Sequence, residues 1–139
     1  MSDKVFFDTN LLIYLYSVDE PEKQQLVIEQ IQTTENRWIS TQVLNELSNT
    51  LYKKFKLECD DISHVLTELV DTFQVAVVQP TTIMQALEMV KRYHYSYYDS
   101  LIIATALEKS CNALYSEDMQ HQQVIEQTLI ILNPFKLRF

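Results

Sequence analysis

The chain contains no glycine at any of its 139 positions, where ordinary usage near ~7% would supply roughly ten. A glycine-rich phosphate loop and a dinucleotide fingerprint both need glycine at fixed places, so neither can exist here. Left-handed turn positions must fall to other residues, and Asn36 and Asn112 are the expected ones. Cysteine is scarce too. Cys59 and Cys111 are the only two; they make no metal-ligand spacing and read as reduced structural thiols of a cytoplasmic protein. No stretch reaches the roughly 18 uncharged apolar residues of a membrane span. Met1-Ser2-Asp3-Lys4 runs straight into an apolar segment, so no signal peptide is expected. Positive charge is also short: 11 Lys and Arg stand against 19 Asp and Glu, a net charge of -8. Passive nucleic-acid binding is driven by cations that neutralise phosphates, and this balance argues against it. A carboxylate cluster that recruits cations is compatible with it.

Apolar residues are plentiful at 47%, enough for a packed core. The length suits one domain spanning 1–139. Val5-Phe6-Phe7 reads as a buried strand, followed by the polar break Asp8-Thr9-Asn10 and a helix through Leu11 to Tyr16. A second helix follows Pro21 to Thr33, and Arg37 to Ser40 is a strand. Ser40 or Thr41 caps a helix to about Phe55. Asp60 and Asp61 open another helix, and Phe73 to Val78 is a β-branched strand closed by Pro80. Thr82 to Tyr93 is helical, and Ser96 caps the helix Tyr97 to Lys109. Ala113-Leu114-Tyr115 and Ile130-Ile131-Leu132 are the remaining strands, the last ended by Pro134. Strands alternating with helices imply a single three-layer α/β/α domain around a parallel sheet.

In such a sheet, ligands bind beyond the carboxyl ends of the strands, and four acids fall there. Asp8 ends the first strand, Glu46 lies one turn into the helix after the second, Asp99 starts the helix feeding the fourth, and Asp118 follows the fourth. Each has a plainer reading. Asp8 can cap the next helix, Ser96-Tyr97-Tyr98-Asp99 has capping-box spacing, and Glu117-Asp118 can be a solvated loop pair. Glu46 resists dismissal, because it falls at the edge of the buried stripe Val43, Leu47 and Leu51, too far in for a cap. The joint pattern fits a hard-cation site. Carboxylates without His or Cys nearby select Mg²⁺ or Mn²⁺ over Zn²⁺.

The segments Phe6-Phe7-Asp8-Thr9-Asn10, Ser40 to Glu46, Tyr98 to Ala106 and Leu114 to Met119, in this order and spacing, resemble the PIN-domain family over nearly the whole chain. The resemblance implies a five-stranded parallel sheet and Mg²⁺- or Mn²⁺-dependent cleavage of RNA. It matches Asp8, Glu46 and Asp99 to the three principal catalytic and metal-holding acids and Asp118 to a more variable fourth. Thr9 or Asn10 would steady the first acid, and Ser116 matches the hydroxyl position before the fourth. The compact form resembles the toxin half of bacterial toxin–antitoxin pairs, which dimerise and are blocked by an antitoxin peptide. Competing readings are a housekeeping RNA-processing nuclease and a catalytically idle RNA- or protein-binding module on the same fold. Related chains often carry Gly where Gln122 stands, so the loop around Asp118 is expected to sit differently.

Tyr93-His94-Tyr95-Ser96-Tyr97-Tyr98 is the densest aromatic stretch. Tyr97, with Arg92 before it, is a candidate for stacking bases and holding phosphates; helix-end packing or a dimer interface is the competing reading. Lys53 and Lys54, with Lys56, are candidates for a basic lip beside the Glu46 helix, or else a solvated face. His121 reads as a proton shuttle near Asp118 or as a surface residue. His64 and His94 have no convergent partners.

Overall fold

Three consecutive residues, Val5, Phe6 and Phe7, are buried in strand β1 (Lys4–Phe7), so both faces of this strand are covered, as in a parallel sheet flanked by helices. The computed structural model describes residues 3–137; Met1 and Ser2, part of the N-terminal reading, lie outside the described residues. The remaining strands are β2 (Asn36–Ser40), β3 (Gln74–Ala76), β4 (Ala113–Tyr115), β5 (Val124–Ile125) and β6 (Leu129–Leu132). Their order in the sheet is β3-β2-β1-β4-β6-β5. Five strands run parallel, and β5 pairs antiparallel with β6 through Val124 opposite Ile130. The expected five parallel strands are therefore present, with a short antiparallel edge added.

The helices are α1 (Thr9–Ile13), α2 (Pro21–Thr33), α3 (Thr41–Lys53), α4 (Cys59–Thr72), α5 (Pro80–Tyr93) and α6 (Tyr97–Glu108). Pro80 opens α5 instead of merely closing the strand before it, since a first-turn proline gives up no helical hydrogen bond. Val43, Leu47 and Leu51 form the buried stripe of α3 as the spacing predicts. Helix α6 is different: residues 100–106 are all buried, and the Thr105 hydroxyl within it donates to the Leu101 carbonyl. It is a core helix, not an amphipathic one. Among the described residues no helix is long and apolar enough to cross a membrane.

The left-handed positions fall elsewhere than expected. Asn36 opens β2, and Asn112 extends the sheet, its Oδ1 accepting from the Lys4 N–H at 2.8 Å. Among the described residues, positive φ occurs at Lys56, His94, Ser110, Gln122, Glu126 and Gln127. Asn is the better tolerated residue in this region, but the turn decides where it is needed. Gln122 itself adopts φ 70, held by its N–H to the Ile131 carbonyl at 2.6 Å and by the Ile131 N–H to the Gln123 carbonyl at 2.8 Å. The glutamine thus takes the left-handed conformation that glycine enters more freely, because the sheet ladder fixes the backbone on both sides. Cys59 and Cys111 are free thiols, the first exposed and the second buried; burial pushes the Cys111 thiol up to about 11.

A non-glycine residue at positive φ is strained, and His94 is such a residue, exposed at the end of α5 with φ 63 and ψ 27. His94→Gly is expected to raise unfolding free energy by roughly 0.5–1 kcal/mol, read as a higher denaturant midpoint with an unchanged slope. A lowered midpoint would show that the histidine side chain contributes more than its backbone costs.

Candidate active site

The chain passes from β1 to β2 and β3 on one side, then crosses to β4 on the other, so the strand order reverses between β1 and β4. Such a switch point leaves a crevice beyond the carboxyl ends of the two strands. Asp8 follows β1 there, with its N–H bonded to the Tyr115 carbonyl at 3.0 Å. Ser116 follows β4, anchored by its own N–H to the Leu132 carbonyl. The two ends are joined by side chains: the Ser116 hydroxyl donates to Asp8 Oδ2 at 2.9 Å and accepts from the Asp118 N–H at 3.3 Å.

Asn10 lies between the acids. Its Nδ2 donates to Asp8 Oδ2 at 3.2 Å, Asp118 Oδ2 at 3.1 Å and Ser116 Oγ at 3.3 Å, and its Oδ1 accepts from the Glu117 N–H at 3.3 Å. Thr9 steadies two carboxylates at once: its N–H donates to Asp8 Oδ1 at 2.7 Å, and its hydroxyl donates to Glu46 Oε1 at 2.6 Å. Asp8 is therefore both the N-cap of α1 and a member of the cluster. Asp99 is likewise placed by a cap, since the Ser96 hydroxyl accepts its N–H. Asp8, Glu46, Asp99 and Asp118 line one cleft of about 360 Å³ with Thr9, Asn10, Asn49 and Thr50.

Burial dominates the electrostatics. Asp8 is pushed up from 3.8 to about 7, first by loss of water and then by the Asp99 and Glu46 carboxylates, against the opposing bonds from Ser116 and Thr9. Asp99 is raised as well, chiefly by burial, with Asp118 and Glu46 adding to it and Ser96 opposing. Among the described residues no three His, Cys, Asp or Glu are drawn together as a ready ligand set for a metal ion. The donor chemistry nevertheless suits a hard cation: the ionisable side chains lining the cleft are all carboxylates. Magnesium takes one or two carboxylates and keeps several waters, so it needs no closed protein cage. The residues fit it.

The other sequence candidates lie around this cleft or apart from it. Lys53 is one helical turn beyond Asn49 and Thr50 on α3, exposed beside Lys54, whose Nζ sits 5.8 Å from the Phe55 ring centroid. Arg92 is bonded to Glu126. Tyr97 is half-buried, with its ring edge-on to Tyr98 at 5.3 Å. His121 Nδ1 accepts from the Asn133 N–H at 2.9 Å, a structural role, and His94 ends α5. The sequence reading missed a clamp: Lys23 on α2 donates to Glu117 Oε2 at 2.6 Å, and the Tyr14 hydroxyl donates to Glu117 Oε1. The Lys23 ammonium lies 5.1 Å from the Tyr14 ring centroid and 5.0 Å from that of Phe135. This pins the residue beside Asp118. Its partners are 94 residues apart, and no local pattern announces the pair.

The model of the family described as PIN domain matches residues 5–126. Among solved structures, the chain is similar to the sarcin-ricin-loop-cleaving toxin VapC20 of Mycobacterium tuberculosis. The TM-score is 0.69 at 18% identity, over 83% of this chain and 90% of that one. A toxin–antitoxin complex from Klebsiella pneumoniae gives 0.73 at 18% identity, over 94% and 98%. DNA-bound VapBC from Salmonella typhimurium gives 0.68 at 18% identity, over 92% and 96%. Among curated proteins none matches significantly.

The sign of the Asp8 shift sets a pH test. The folded chain holds this proton up to about 7, the unfolded chain only to about 3.8, so the stability contributed by the protonated form is full below about 4. It is lost as pH rises through about 7. At about 1.4 kcal/mol per pKa unit the loss is a few kcal/mol. Asp8→Asn imitates the protonated form, so the variant should unfold later than the parent at pH 8 and match it near pH 4. Equal differences in denaturant midpoint at both pH values would remove the buried-charge account.

Proposed function

Because the chain belongs to the PIN-domain family of nucleases, matched over residues 5–126, we propose that it is a Mg²⁺- or Mn²⁺-dependent endoribonuclease, a single domain over 1–139, and the toxin of a toxin–antitoxin pair. The observation that supports this reading is the cleft shared by Asp8, Glu46, Asp99 and Asp118 at the switch point of the sheet. These four carboxylates would hold the cation. When bound, it lowers the pKa of a water and neutralises charge building on the phosphodiester.

The protein's own share is positioning. Asn10 and Ser116 fix Asp8 relative to Asp118, and Thr9 fixes Asp8 relative to Glu46, so little reorganisation remains for the reaction. The Lys23–Glu117 clamp holds the strap carrying Asp118 against α2. Lys53 and Lys54 would meet the phosphates of the RNA as it leaves the cleft along α3. An antitoxin partner is proposed because similar folds occur in toxin–antitoxin complexes. Exposed Ile83, Met84 and Leu87 on α5 support a homodimer, and a cytoplasmic site accords with two free thiols.

The purified chain should cleave single-stranded RNA in Mg²⁺ or Mn²⁺ and stop in chelator. Asp8→Asn and Asp118→Asn should each lower the rate at least about a hundredfold, since a metal's charge stabilisation is worth several kcal/mol and each 1.36 kcal/mol is tenfold. Circular dichroism should remain native. Cleavage that persists in chelator, or in folded Asp8→Asn protein, would overturn the proposal.

A further inference from the structure

Beside the acid cleft lies a second cavity of about 390 Å³, and the two share Glu46 and Asn49. Its walls come from α3 (Gln42, Asn45, Asn49) and from Val78, Tyr98 and Leu101. Gln42 ties the two sides together: its Nε2 donates to the Tyr98 carbonyl at 3.0 Å and to Glu46 Oε2 at 3.4 Å. Both Nε2 partners are acceptors, so the amide orientation is fixed. Its Oε1 is buried and, among the described residues, has no donor. Gln42 itself is only 7% exposed.

Tyr98 is 63% exposed, a large aromatic side chain facing solvent beside this cavity. Its carbonyl is held by Gln42 and its ring is braced edge-on by Tyr97. Asn45 and Asn49, four residues apart, share one face of α3. Each amide offers both donors and an acceptor. Val78 and Leu101 add apolar wall. Glu46 is the one charged residue among those lining the cavity, so an anion such as a phosphate or an acidic peptide would meet repulsion and no cation.

We propose that this cavity is a base-specificity subsite that takes one unpaired nucleobase, the neighbour of the phosphate lying over the acids, stacked on Tyr98 and read at its edge by Asn45 and Asn49. The inference rests on the nuclease reading for the position of that phosphate. A nucleobase is neutral and flat, with apolar faces and polar edges, which is the chemistry these walls complement. Recognition of unpaired RNA bases by stacking on aromatics and by bonds to their edges is general. Gln42 stands behind this wall, holding the Tyr98 backbone against α3.

The test uses the full chain in chelator, with the side-chain amide signals of Asn45 and Asn49 followed by NMR. Adenosine, guanosine, cytidine and uridine are added as unphosphorylated nucleosides. At least one should move both amide signals. Tyr98→Phe should keep this response and Tyr98→Ala should weaken it about tenfold, as expected for loss of one stacking partner. In Mg²⁺, RNA substrates differing only in the base beside the cut should be cleaved unequally by the parent and more equally by Tyr98→Ala. If no nucleoside moves the amides, the subsite is overturned whether or not RNA is cleaved. Signals that follow protein concentration and not nucleoside would assign the cavity to a second copy of the chain and overturn it too. Nucleoside binding without any RNA cleavage would uphold the base site and count against the nuclease reading alone.

Discussion

Removing Asp8 from water beside three other carboxylates is the costly act around which the functional end of the molecule is arranged. A carboxylate in an apolar setting ordinarily keeps its proton, and Asp8 does move strongly in that direction. What keeps the group usable is a set of donors supplied by its neighbours in sequence and by the next strand over. The Thr9 N–H and the Asn10 amide come from α1, and the Ser116 hydroxyl comes from the end of β4. These donors can reach it only because β1 and β4 are adjacent and in register, Phe7 opposite Tyr115. The sheet topology and the protonation of one side chain are thus a single problem. A slip of one residue between these strands would take Ser116 away from Asp8 and turn the strand side chains to the opposite face.

The same arrangement explains why a chain without glycine can build the site. None of the residues lining the cleft is left-handed. Asp8 is extended, with φ -73 and ψ 154, and its neighbours enter a helix directly. The positive φ values occur at helix ends and in the turns around β5, where strain of order 1 kcal/mol per residue can be absorbed without disturbing the acids.

Three of the four acids stand beside local signals that alone also fit caps or a helix margin, and the cluster was legible only from the four taken together. Asp8 follows an apolar run, Asp99 follows Ser96 at capping distance, and Glu46 sits at the margin of a helical stripe. Strand and helix order was legible because the hydrophobic periods of β1, α3 and α5 are carried within short windows. What stayed hidden depends on partners distant in the chain or on turn chemistry that breaks preference. The β5–β6 hairpin turns through Glu126 and Gln127, with φ 49 and 63, in a place where Asn-Gly would be the usual signal. Val124 and Ile125 alone are too short to announce a strand. Lys23 and Glu117 meet only because α2 folds back over the strap, and Gln42 reads as an ordinary polar residue until Tyr98 is brought against it.

The charge balance also changes meaning once the site is in view. A net charge of -8 argues against passive binding of nucleic acid, because such affinity usually comes from cations that displace counterions. The two adjoining cavities divide the problem differently. The first gathers carboxylates, where a divalent cation's charge would dominate the local field. The second shares Glu46 with the first and is otherwise walled by amides, a threonine, one aromatic ring and aliphatic side chains, groups whose attraction for a base needs no positive charge. On the proposed reading, such a protein would hold an unspecific polyanion poorly and would favour a strand that fills both cavities together. Its acidity would then contribute to discrimination, by weakening every contact that the right base and a bound cation do not support.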